Sequence, residues 1–208
     1  MMIEDLDRRV TLGRRLHLPQ AKRVSLGLNT PESLAATLAS RGGVGAWWSP
    51  HLFASDYRTS DNWEGTSLLA CDVDYYAAPP RGHSVAPVDV VTKLVGAAMP
   101  GDLFHLTPRG FRLVFVLDRF VSSAGEFEKV ARGTKRLLER ALTDASLLGA
   151  TRWTTVEGRR ALVVDHEGYV VDDGAHFDRA RLFWTPNAHA DGEPAVRLAE
   201  VRVLKGGR

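Results

Sequence analysis

The order of segments along this 208-residue chain predicts an α+β fold with a largely antiparallel sheet. Apolar residues alternate as in strands or recur with a helical period, in the order strand, helix, strand, helix, hairpin, helix and strands. The last third of the chain is nearly all strand, so it lacks the regular strand–helix alternation of a doubly wound parallel sheet. With 44% hydrophobic residues, the chain has enough apolar side chains for one domain over residues 1–208.

The N-terminal part, about residues 1–65, is expected to form an αβ unit. AKRVSLGLN alternates like a short strand, and TPESLAATLAS has the pattern of a helix with Pro31 at the first helical position. The aromatic-rich segment 46–65 is predicted to be a loop whose aromatic side chains pack into a small core. Stacking of these aromatic rings on nucleic-acid bases is the alternative.

The next strand is predicted to end in two carboxylates. Leu68 to Cys71 is an apolar run typical of a buried strand, and Asp72 and Asp74 follow with one valine between them. Because residues i and i+2 of a strand point to the same face, both carboxylates project together. Two close anions repel each other unless a cation compensates them, and Mg²⁺ or Mn²⁺ prefers such oxygen ligands. A strand that has simply emerged into water is the alternative.

Three elements are predicted after this strand. PVDVVTKLVGAAM has its apolar residues on one helical face. Apolar segments on both sides of the turn TPRG at 107–110 indicate a hairpin, whose second strand alternates between large apolar residues and a face that begins with Arg112. Ser123 with Glu126 three residues later is the pattern of a capping box, which would open a long helix.

A second acidic cluster follows another apolar strand. Asp172 and Asp173 come directly after GYVV, and Asp178 follows a few residues later. Strand register decides which of two neighbouring side chains faces a pocket, so the sequence leaves Asp172 and Asp173 as alternatives. Three carboxylates from two strand ends, with two arginines nearby, can hold a pair of divalent ions against a triphosphate.

Composition narrows the class of protein further. The net charge of +2 and the pI of about 8.8 allow an anionic partner without demanding one. No apolar segment reaches the roughly 18 residues of a membrane helix, and the N-terminus lacks the apolar core of a secretion signal, so a cytoplasmic location is expected. Cys71 is the single cysteine and is expected to pack in the core. Basic residues concentrate on one predicted helix: Lys129, Arg132, Lys135, Arg136 and Arg140.

In their order along the chain, these segments resemble the archaeo-eukaryotic primase superfamily, and within it the small primase-polymerase domains of plasmids and phages. That family has a strand ending in Asp-x-Asp, a Thr/Ser-Pro/Ser-x-Gly turn before a strand with a basic residue, and a third Asp upstream of Arg-Leu-Phe-x-x-Pro. The corresponding segments here are LLACDVDYY, HLTPRGFRLVFVLDR and VVDDGAHFDRARLFWTPN. The segment before Asp-x-Asp, with Arg58 at a basic position, is similar as well.

The resemblance implies a primase-polymerase catalytic core, with an RRM-like sheet flanked by helices over residues 66–208. The implied activity is that of a metal-dependent nucleotidyltransferase, a DNA primase/polymerase that synthesises or extends primers in the replication of a plasmid, phage or related element. The implied cofactor is Mg²⁺ or Mn²⁺. The implied partners are a single-stranded DNA template, NTP or dNTP, and a replicative helicase, either fused or separate.

Site residues follow from the same resemblance. Asp72, Asp74 and Asp173 are the implied catalytic residues and metal ligands, and Asp173 precedes Arg181 by eight residues, a separation similar to that of the family. Asp178 matches a second, less essential acidic position. The implied nucleotide- and phosphate-binding residues are Arg112, Arg181, Thr107, Arg109 and Arg58.

One position departs from the family pattern. Where many members carry a histidine that contacts the nucleotide phosphates, this chain has Arg112. Arginine binds phosphate at least as well, but it does not exchange a proton near neutral pH, so any acid–base role of that histidine is lost. His105 lies across the predicted turn and is the candidate to replace it, although a histidine between Phe104 and Leu106 is more often a packing residue.

Two other functions compete with this one. A phosphatase of the haloacid dehalogenase type also begins with Asp-x-Asp and uses a later Thr, Lys and acidic pair, which Thr107, Lys135 and Asp172-Asp173 would supply. Those enzymes usually have Gly-Thr after the second aspartate, where this chain has two tyrosines, and they need a parallel sheet. The second alternative is a primase-like domain that binds nucleic acid or nucleotide without polymerising, which the missing histidine favours.

Overall fold

The structure, a computed structural model, describes residues 9–13, 22–25, 31–40, 42–44, 47–54, 59–77, 101–107, 109–181, 183–184, 187–189 and 202–203. The helices in this part of the chain are α1 (Pro31–Ser40), α2 (Ala124–Asp144) and α3 (Asp173–Phe177), with a 3₁₀ turn at Ser60–Asn62. The strands are β1 (Arg9–Gly13), β2 (Lys22–Ser25), β3 (Gly42–Val44), β4 (Trp47–Ser49), β5 (His51–Phe53), β6 (Trp63–Tyr76), β7 (Leu103–Thr107), β8 (Gly110–Val121), β9 (Ala150–Val156), β10 (Arg159–His166), β11 (Gly168–Val171), β12 (Phe183–Trp184), β13 (Asn187–His189) and β14 (Arg202–Val203).

The main sheet is built around the two long strands β6 and β8. Its strand order is β11-β6-β8-β7-β14, and β5 also pairs with β6. Every pairing within this sheet is antiparallel. The predicted α+β class with a largely antiparallel sheet is therefore confirmed, and the parallel sheet of a haloacid dehalogenase-type phosphatase does not fit it.

One face of the main sheet packs against α2. Buried residues recur along α2 at intervals of three or four, from Phe127 through Ala131 and Leu138 to Leu142, which is the spacing of an amphipathic helix. These side chains meet every second residue of the two central strands, because alternate side chains of a strand share a face. The residues of the two central strands in this core include Leu69, Cys71, Val73, Phe111 and Leu113. Cys71 is a core residue, as predicted.

The opposite face of the main sheet carries a second core. Leu68 and Ala70 of β6 and Val114 of β8 pack there with Leu34 and Leu38 of α1. Trp48 of β4 and Phe183 of β12 complete this core, and their rings lie 5.7 Å apart. The second core therefore joins residues from both ends of the chain.

A second sheet supplies part of that covering layer. Its strand order is β12-β4-β1-β2, and its pairings are antiparallel. Trp48 of β4 lies opposite Phe183 of β12, so a strand from residues 183–184 is built into a sheet whose other strands come from the first 50 residues. Two small sheets, β9 with β10 and β3 with β13, lie outside these two.

Several predicted elements are confirmed, and the loop predicted for the aromatic-rich segment was wrong. The helix α1, the hairpin of β7 and β8, and the strand that contains Asp72 form as expected. The aromatic-rich segment was predicted as a loop but contains β4 and β5, because Trp48 and Phe53 are buried and their strands pair with β1 and β6. The expected small aromatic core is thus present, built on strands. The helix predicted at 87–99 lies outside the described residues.

The capping box predicted for α2 is not formed. The helix begins after Ser123 as expected, but the Ser123 side chain makes no capping hydrogen bond. The carboxylate of Glu126 instead accepts hydrogen bonds from Nε of Arg119 at 2.9 Å and from Nη2 at 2.5 Å. A charged guanidinium offers two strong donors, so it competes successfully with a single backbone N–H for this carboxylate.

The described part of the chain contains no helix that is both long enough and apolar enough to cross a membrane. The longest helix, α2, is amphipathic, with its apolar stripe on the main sheet. Its exposed side carries basic and acidic residues, among which Arg132 pairs with Glu128 and Arg140 with Asp144.

Two glycines give a matched test of the packing. A Cβ at Gly110 would lie 1.9 Å from the carbonyl oxygen of Val73 across the β6–β8 ladder, whereas a Cβ at Gly133 on α2 would meet nothing within 4 Å. We expect Gly110→Ala to destabilise the protein by about 2 kcal/mol or more. Gly133→Ala should stabilise it by about 1 kcal/mol, because alanine favours helix. Urea unfolding measures both, and equal effects at the two positions would contradict the strand register.

Candidate functional site

A row of polar side chains crosses the main sheet where its second core ends. Asp72 of β6 lies opposite Arg112 of β8, which in turn lies opposite His105 of β7. Asp172, the residue after β11, extends the row because its backbone N–H donates to the carbonyl oxygen of Asp72 at 2.9 Å. Because side chains alternate along β6, Asp72 and Asp74 share the face of Leu68 and not that of Cys71.

Asp72 and Arg112 form a buried, bidentate ion pair. Nε of Arg112 donates to Oδ1 of Asp72 at 2.6 Å, and Nη2 donates to Oδ2 at 2.9 Å. The two side chains are only 13% and 7% exposed, respectively. The ring of Phe183 lies 4.1 Å from the guanidinium carbon of Arg112 and adds a cation–π contact. Both oxygens of Asp72 are thus engaged by a fixed cation, although the sequence predicted Asp72 as a metal ligand and Arg112 as a phosphate-binding residue.

His105 completes the row at the β7 side. Its side chain is buried, and its Nε2 lies 3.4 Å from Nη1 of Arg112. The structure therefore places His105 beside the guanidinium of Arg112. Its burial agrees with the expectation of a packing residue, and an acid–base role stays a prediction.

Asp74 is the carboxylate of the cluster that has no side-chain partner among the described residues. It is half-buried, and although its backbone pairs with β8 and β11, its side chain forms no hydrogen bond or ion pair in this part of the chain. Burial raises the pKa of Asp74 to about 6, and the negative charges of Asp72 and Asp172 contribute to this rise, against the opposing fields of Arg109 and Arg112. At neutral pH, Asp74 is therefore an incompletely compensated negative charge at the end of a central strand.

Asp172 is the third carboxylate that the structure brings to Asp74. Its Oδ1 accepts a hydrogen bond from the backbone N–H of Gly174 at 2.9 Å, so it is the N-cap of α3. Its Oδ2 lies 3.7 Å from Nη2 of Arg181. Asp172 lies beside Asp72 at the end of the sheet, and its negative charge acts on Asp74.

Asp173, which the resemblance implied as the third ligand, has a different partner. It is the first residue of α3, and its side chain is 64% exposed and accepts a hydrogen bond from Nζ of Lys135 on α2. The side chain of Asp178 contacts its own segment, because its Oδ1 accepts a hydrogen bond from the backbone N–H of Ala180 at 2.8 Å. The sequence left Asp172 and Asp173 open as the third carboxylate beside Asp72 and Asp74, and the geometry favours Asp172.

The other predicted phosphate-binding residues are spread around this cluster. Thr107 is half-buried at the end of β7, opposite Gly110. Arg109 is exposed in the turn between β7 and β8, and its carbonyl oxygen accepts a hydrogen bond from the N–H of Tyr75 at 2.8 Å. Arg181 is partly exposed beside Asp172. Arg58 lies outside the described residues.

Two contributions to the site were missed from the sequence. The N-cap role of Asp172 had a signal, because an Asp that follows a strand and precedes another acidic residue is typical of a helix start. The contact of Phe183 with Arg112 had none, since it depends on the pairing of β12 with β4. Within the described ranges, no group of three or more His, Cys, Asp or Glu side chains is placed so that it could hold a metal ion.

The pKa of Asp74 predicts how stability depends on pH. Because the folded-state pKa is raised from 3.8 to about 6, the stability contributed by the protonated form is complete below 3.8 and is lost as the pH rises through 6. Asp74→Asn should therefore match the wild type near pH 4 and be more stable by about 1 to 2 kcal/mol above pH 6. Thermal unfolding of both proteins between pH 4 and 8, without divalent ions, measures this difference. A difference that does not vary with pH would contradict it.

A double-mutant cycle tests the ion pair. Arg112→Met leaves Asp72 buried without a partner and should destabilise the protein by about 3 to 5 kcal/mol. Adding Asp72→Asn removes the unpaired charge, so the double variant should be more stable than Arg112→Met alone. Urea unfolding of the four proteins gives the coupling free energy, and strictly additive effects would show that the two side chains do not interact.

Comparison with known proteins gives no family for this chain. No protein-family model, no curated protein and no solved structure matches it. A function for it therefore depends on the carboxylates and arginines of the site and on the sheet that carries them.

Proposed function

We propose that this protein is a metal-dependent nucleotidyltransferase of the primase-polymerase type, which makes or extends a primer on a single-stranded DNA template. The observation that carries the proposal is the placement of Asp74. A half-buried carboxylate without a hydrogen bond or ion pair in the described chain lies among two other carboxylates, Asp72 and Asp172, at the end of a central strand. Arg109 and Arg181 lie at the margin of the same cluster.

The strand order of the main sheet supports the proposal. With β6, β7, β8 and β11 counted as first to fourth, the order across the sheet is fourth, first, third, second. The helix α2 and the hairpin of β9 and β10 lie between the third strand and the fourth, and α2 packs on one face. A β-α-β-β-α-β unit of the ferredoxin-like type, which includes RRM-like sheets, has this order, and the helix predicted at 87–99 would supply its first helix. The polar row lies on the face of the main sheet opposite α2.

The donor set fits Mg²⁺ or Mn²⁺. Asp74 and Asp172 offer hard oxygen ligands, and within the described residues no protein donor would have to leave Asp74 first. Mg²⁺ usually binds through one or two carboxylates together with water and substrate phosphates, so a closed cage of protein ligands is not required. The bound ions would neutralise charge on the transferred phosphoryl group and on the attacking oxygen. Asp74 and Asp172 are the residues that would hold them, while Asp72 stays paired with Arg112.

The arginines have separate roles in this proposal. Arg112 holds both oxygens of Asp72 and is a positioning residue, because detaching it would leave two buried charges unpaired. Arg109 is exposed and Arg181 is partly exposed, so both can reach the phosphates of an incoming nucleotide without such a loss. Orientation and electrostatic stabilisation by these groups are what phosphoryl transfer requires of a protein.

A second candidate function is supported by the same ion pair. Since Arg112 neutralises Asp72, Asp74 and Asp172 are the two carboxylates of this cluster whose charge is not matched by a bidentate partner. A site with fewer available carboxylates suits a module that binds nucleotide or nucleic acid without polymerising. The two functions differ in whether a new phosphodiester bond appears.

Nucleotide incorporation tests the proposed function. Labelled NTPs or dNTPs are supplied with a single-stranded template, Mn²⁺ or Mg²⁺, and either a primer or none. We expect metal-dependent products from the wild type, and a loss of about 100-fold or more in Asp74→Asn, because a carboxylate that would hold the metal ion is removed. Asp172→Asn should show a similar loss while keeping the N-cap, since Asn caps as well as Asp. The exposed Asp144→Asn on α2 is the matched control and should keep wild-type activity.

Asp173→Asn distinguishes the two candidate third ligands, because it should keep most activity if Asp172 is the ligand. The polymerase proposal would be contradicted if folded wild-type protein gave no product with either metal and either nucleotide type. The function as a binding module would then be favoured. Hydrolysis of a generic phosphate monoester that disappears in Asp72→Asn would support the phosphatase instead.

A stability measurement tests the metal site apart from activity. Mn²⁺ that binds only the folded state should raise the free energy of unfolding by about 2.7 kcal/mol at 100 times its Kd. The thermal midpoint of the wild type should rise with Mn²⁺, while that of Asp74→Asn should not. Equal rises in the two proteins would place the bound ion elsewhere.

A further inference from the structure

The hairpin of β9 and β10 exposes large apolar side chains. Among the described residues, the exposed large hydrophobic side chains are Trp153, which is 59% exposed, Leu137, and Val156, which is 50% exposed. Two of these three belong to β9, while the third lies on α2. An exposed tryptophan on a strand leaves a large apolar surface in water, which is typical of a contact site.

The hairpin holds its side chains in a fixed arrangement. Glu157 and Gly158 form a two-residue turn with φ of 50° and 75°, and positive φ at both positions is the type I′ turn that matches the twist of the flanking strands. At the base of the hairpin, the N–H of Gly149 donates to the carbonyl oxygen of Tyr169 at 2.8 Å, and the N–H of Tyr169 donates to that of Leu147 at 2.8 Å. The hairpin is therefore anchored to the main sheet through β11.

A basic side chain accompanies the exposed tryptophan. The guanidinium carbon of Arg160 lies 4.5 Å from the centroid of the Trp153 ring, and both side chains lie on one face of the hairpin, because Trp153 pairs with Leu162 and Arg160 with Thr155. Arg159 lies opposite Val156, so its side chain is on the other face. Both arginines are exposed, and neither forms an ion pair with any carboxylate in the described part of the chain. Trp153 and Arg160 thus form a surface of one aromatic ring and one uncompensated positive charge, called here the hairpin surface.

The hairpin starts at the end of the sheet that carries Asp74. After β10, one residue leads into β11, where Val170 lies opposite Asp74 of β6. Trp153 is three residues from the base of β9, or about 10 Å along the strand. A chain of nucleotides bound at the carboxylates is therefore within reach of the hairpin.

We infer that the hairpin surface binds single-stranded nucleic acid, with a base stacked on Trp153 and a phosphate paired with Arg160. An aromatic ring beside a basic residue suits unpaired bases, because every base offers a π-face and the backbone is anionic. A duplex hides its base faces within the stack, so it matches the arginine only. The inference takes from the proposed function the class of ligand and no catalytic step.

Fluorescence anisotropy of a labelled oligothymidylate of about 16 nucleotides, near the upper limit of single-strand site sizes, tests the inference. The affinity is measured at several salt concentrations. Trp153→Ala should weaken binding about 5-fold to 100-fold, which is the range for the loss of one base–aromatic stack, and should leave the salt dependence unchanged. Trp153→Phe should retain more affinity than Trp153→Ala, because it keeps an aromatic face.

Arg160 gives a different signature in the same experiment. Arg160→Gln should lower the slope of log affinity against log salt by about 0.7, for the one phosphate that the arginine no longer neutralises. Arg159→Gln, on the other face of the same hairpin, should leave the slope unchanged. Leu137→Ala and Arg140→Gln on α2 are the matched controls, since they remove an exposed apolar side chain and an exposed arginine elsewhere. Both controls should bind like the wild type.

Several outcomes would overturn the inference. Wild-type affinity in the Trp153→Ala and Arg160→Gln variants is one, and equal binding of a duplex of the same length is another. Unchanged DNA binding together with a changed oligomeric state in Trp153→Ala would assign the surface to a second copy of the chain.

The proposed function fails separately. If the wild type binds the oligonucleotide through the hairpin but incorporates no nucleotide, only the catalytic proposal is contradicted. If the hairpin variants bind normally while the wild type incorporates nucleotides, only the inference is lost.

Discussion

The ion pair between Asp72 and Arg112 is the interaction on which the site and the strand register depend. The pairing of β6 with β8 sets these residues opposite each other on the face that carries Leu68 and Ala70. A slip of one residue would turn Arg112 toward α2, among apolar side chains. Since a buried charge without a partner is very unfavourable, the pair disfavours that register more strongly than the apolar residues alone would.

The same pair gives the two aspartates of the Asp-x-Asp motif different states. Both lie on one face of β6, but the guanidinium of Arg112 engages only Asp72. Asp74 keeps its charge at neutral pH without an ion-pair partner in the described chain, and Asp172 adds a further carboxylate to its field. The repulsion among the carboxylates therefore acts mainly on Asp74, and a cation bound to Asp74 would relieve it. A fixed Asp72 also limits the motion of the strand end that carries Asp74.

Local patterns predicted the elements of the fold better than they predicted the contacts of the site. The period of α2, the turn after Thr107 and the alternation of β8 are properties of neighbouring residues, and each was found as expected. The Asp72–Arg112 pair joins residues 40 positions apart, so only the register could show it. The hydrogen bond from Arg119 to the carboxylate of Glu126, which replaces the predicted capping box, also depends on a contact outside the local pattern. The choice between Asp172 and Asp173 depended on where α3 begins, a difference of one residue.

The position of β12 shows why the site needs both parts of the chain. The sequence divides naturally near residue 65, yet β12 pairs with β4 in the sheet of the N-terminal part. That pairing brings Phe183 onto the guanidinium of Arg112, while Oγ of Ser49 donates to the carbonyl oxygen of Arg181 at 2.7 Å. Arg181 is thus held beside Asp172 by a residue from the N-terminal part. The carboxylates come from the main sheet, but the groups that cover and orient them are fixed by the second sheet, so neither part would form this arrangement alone.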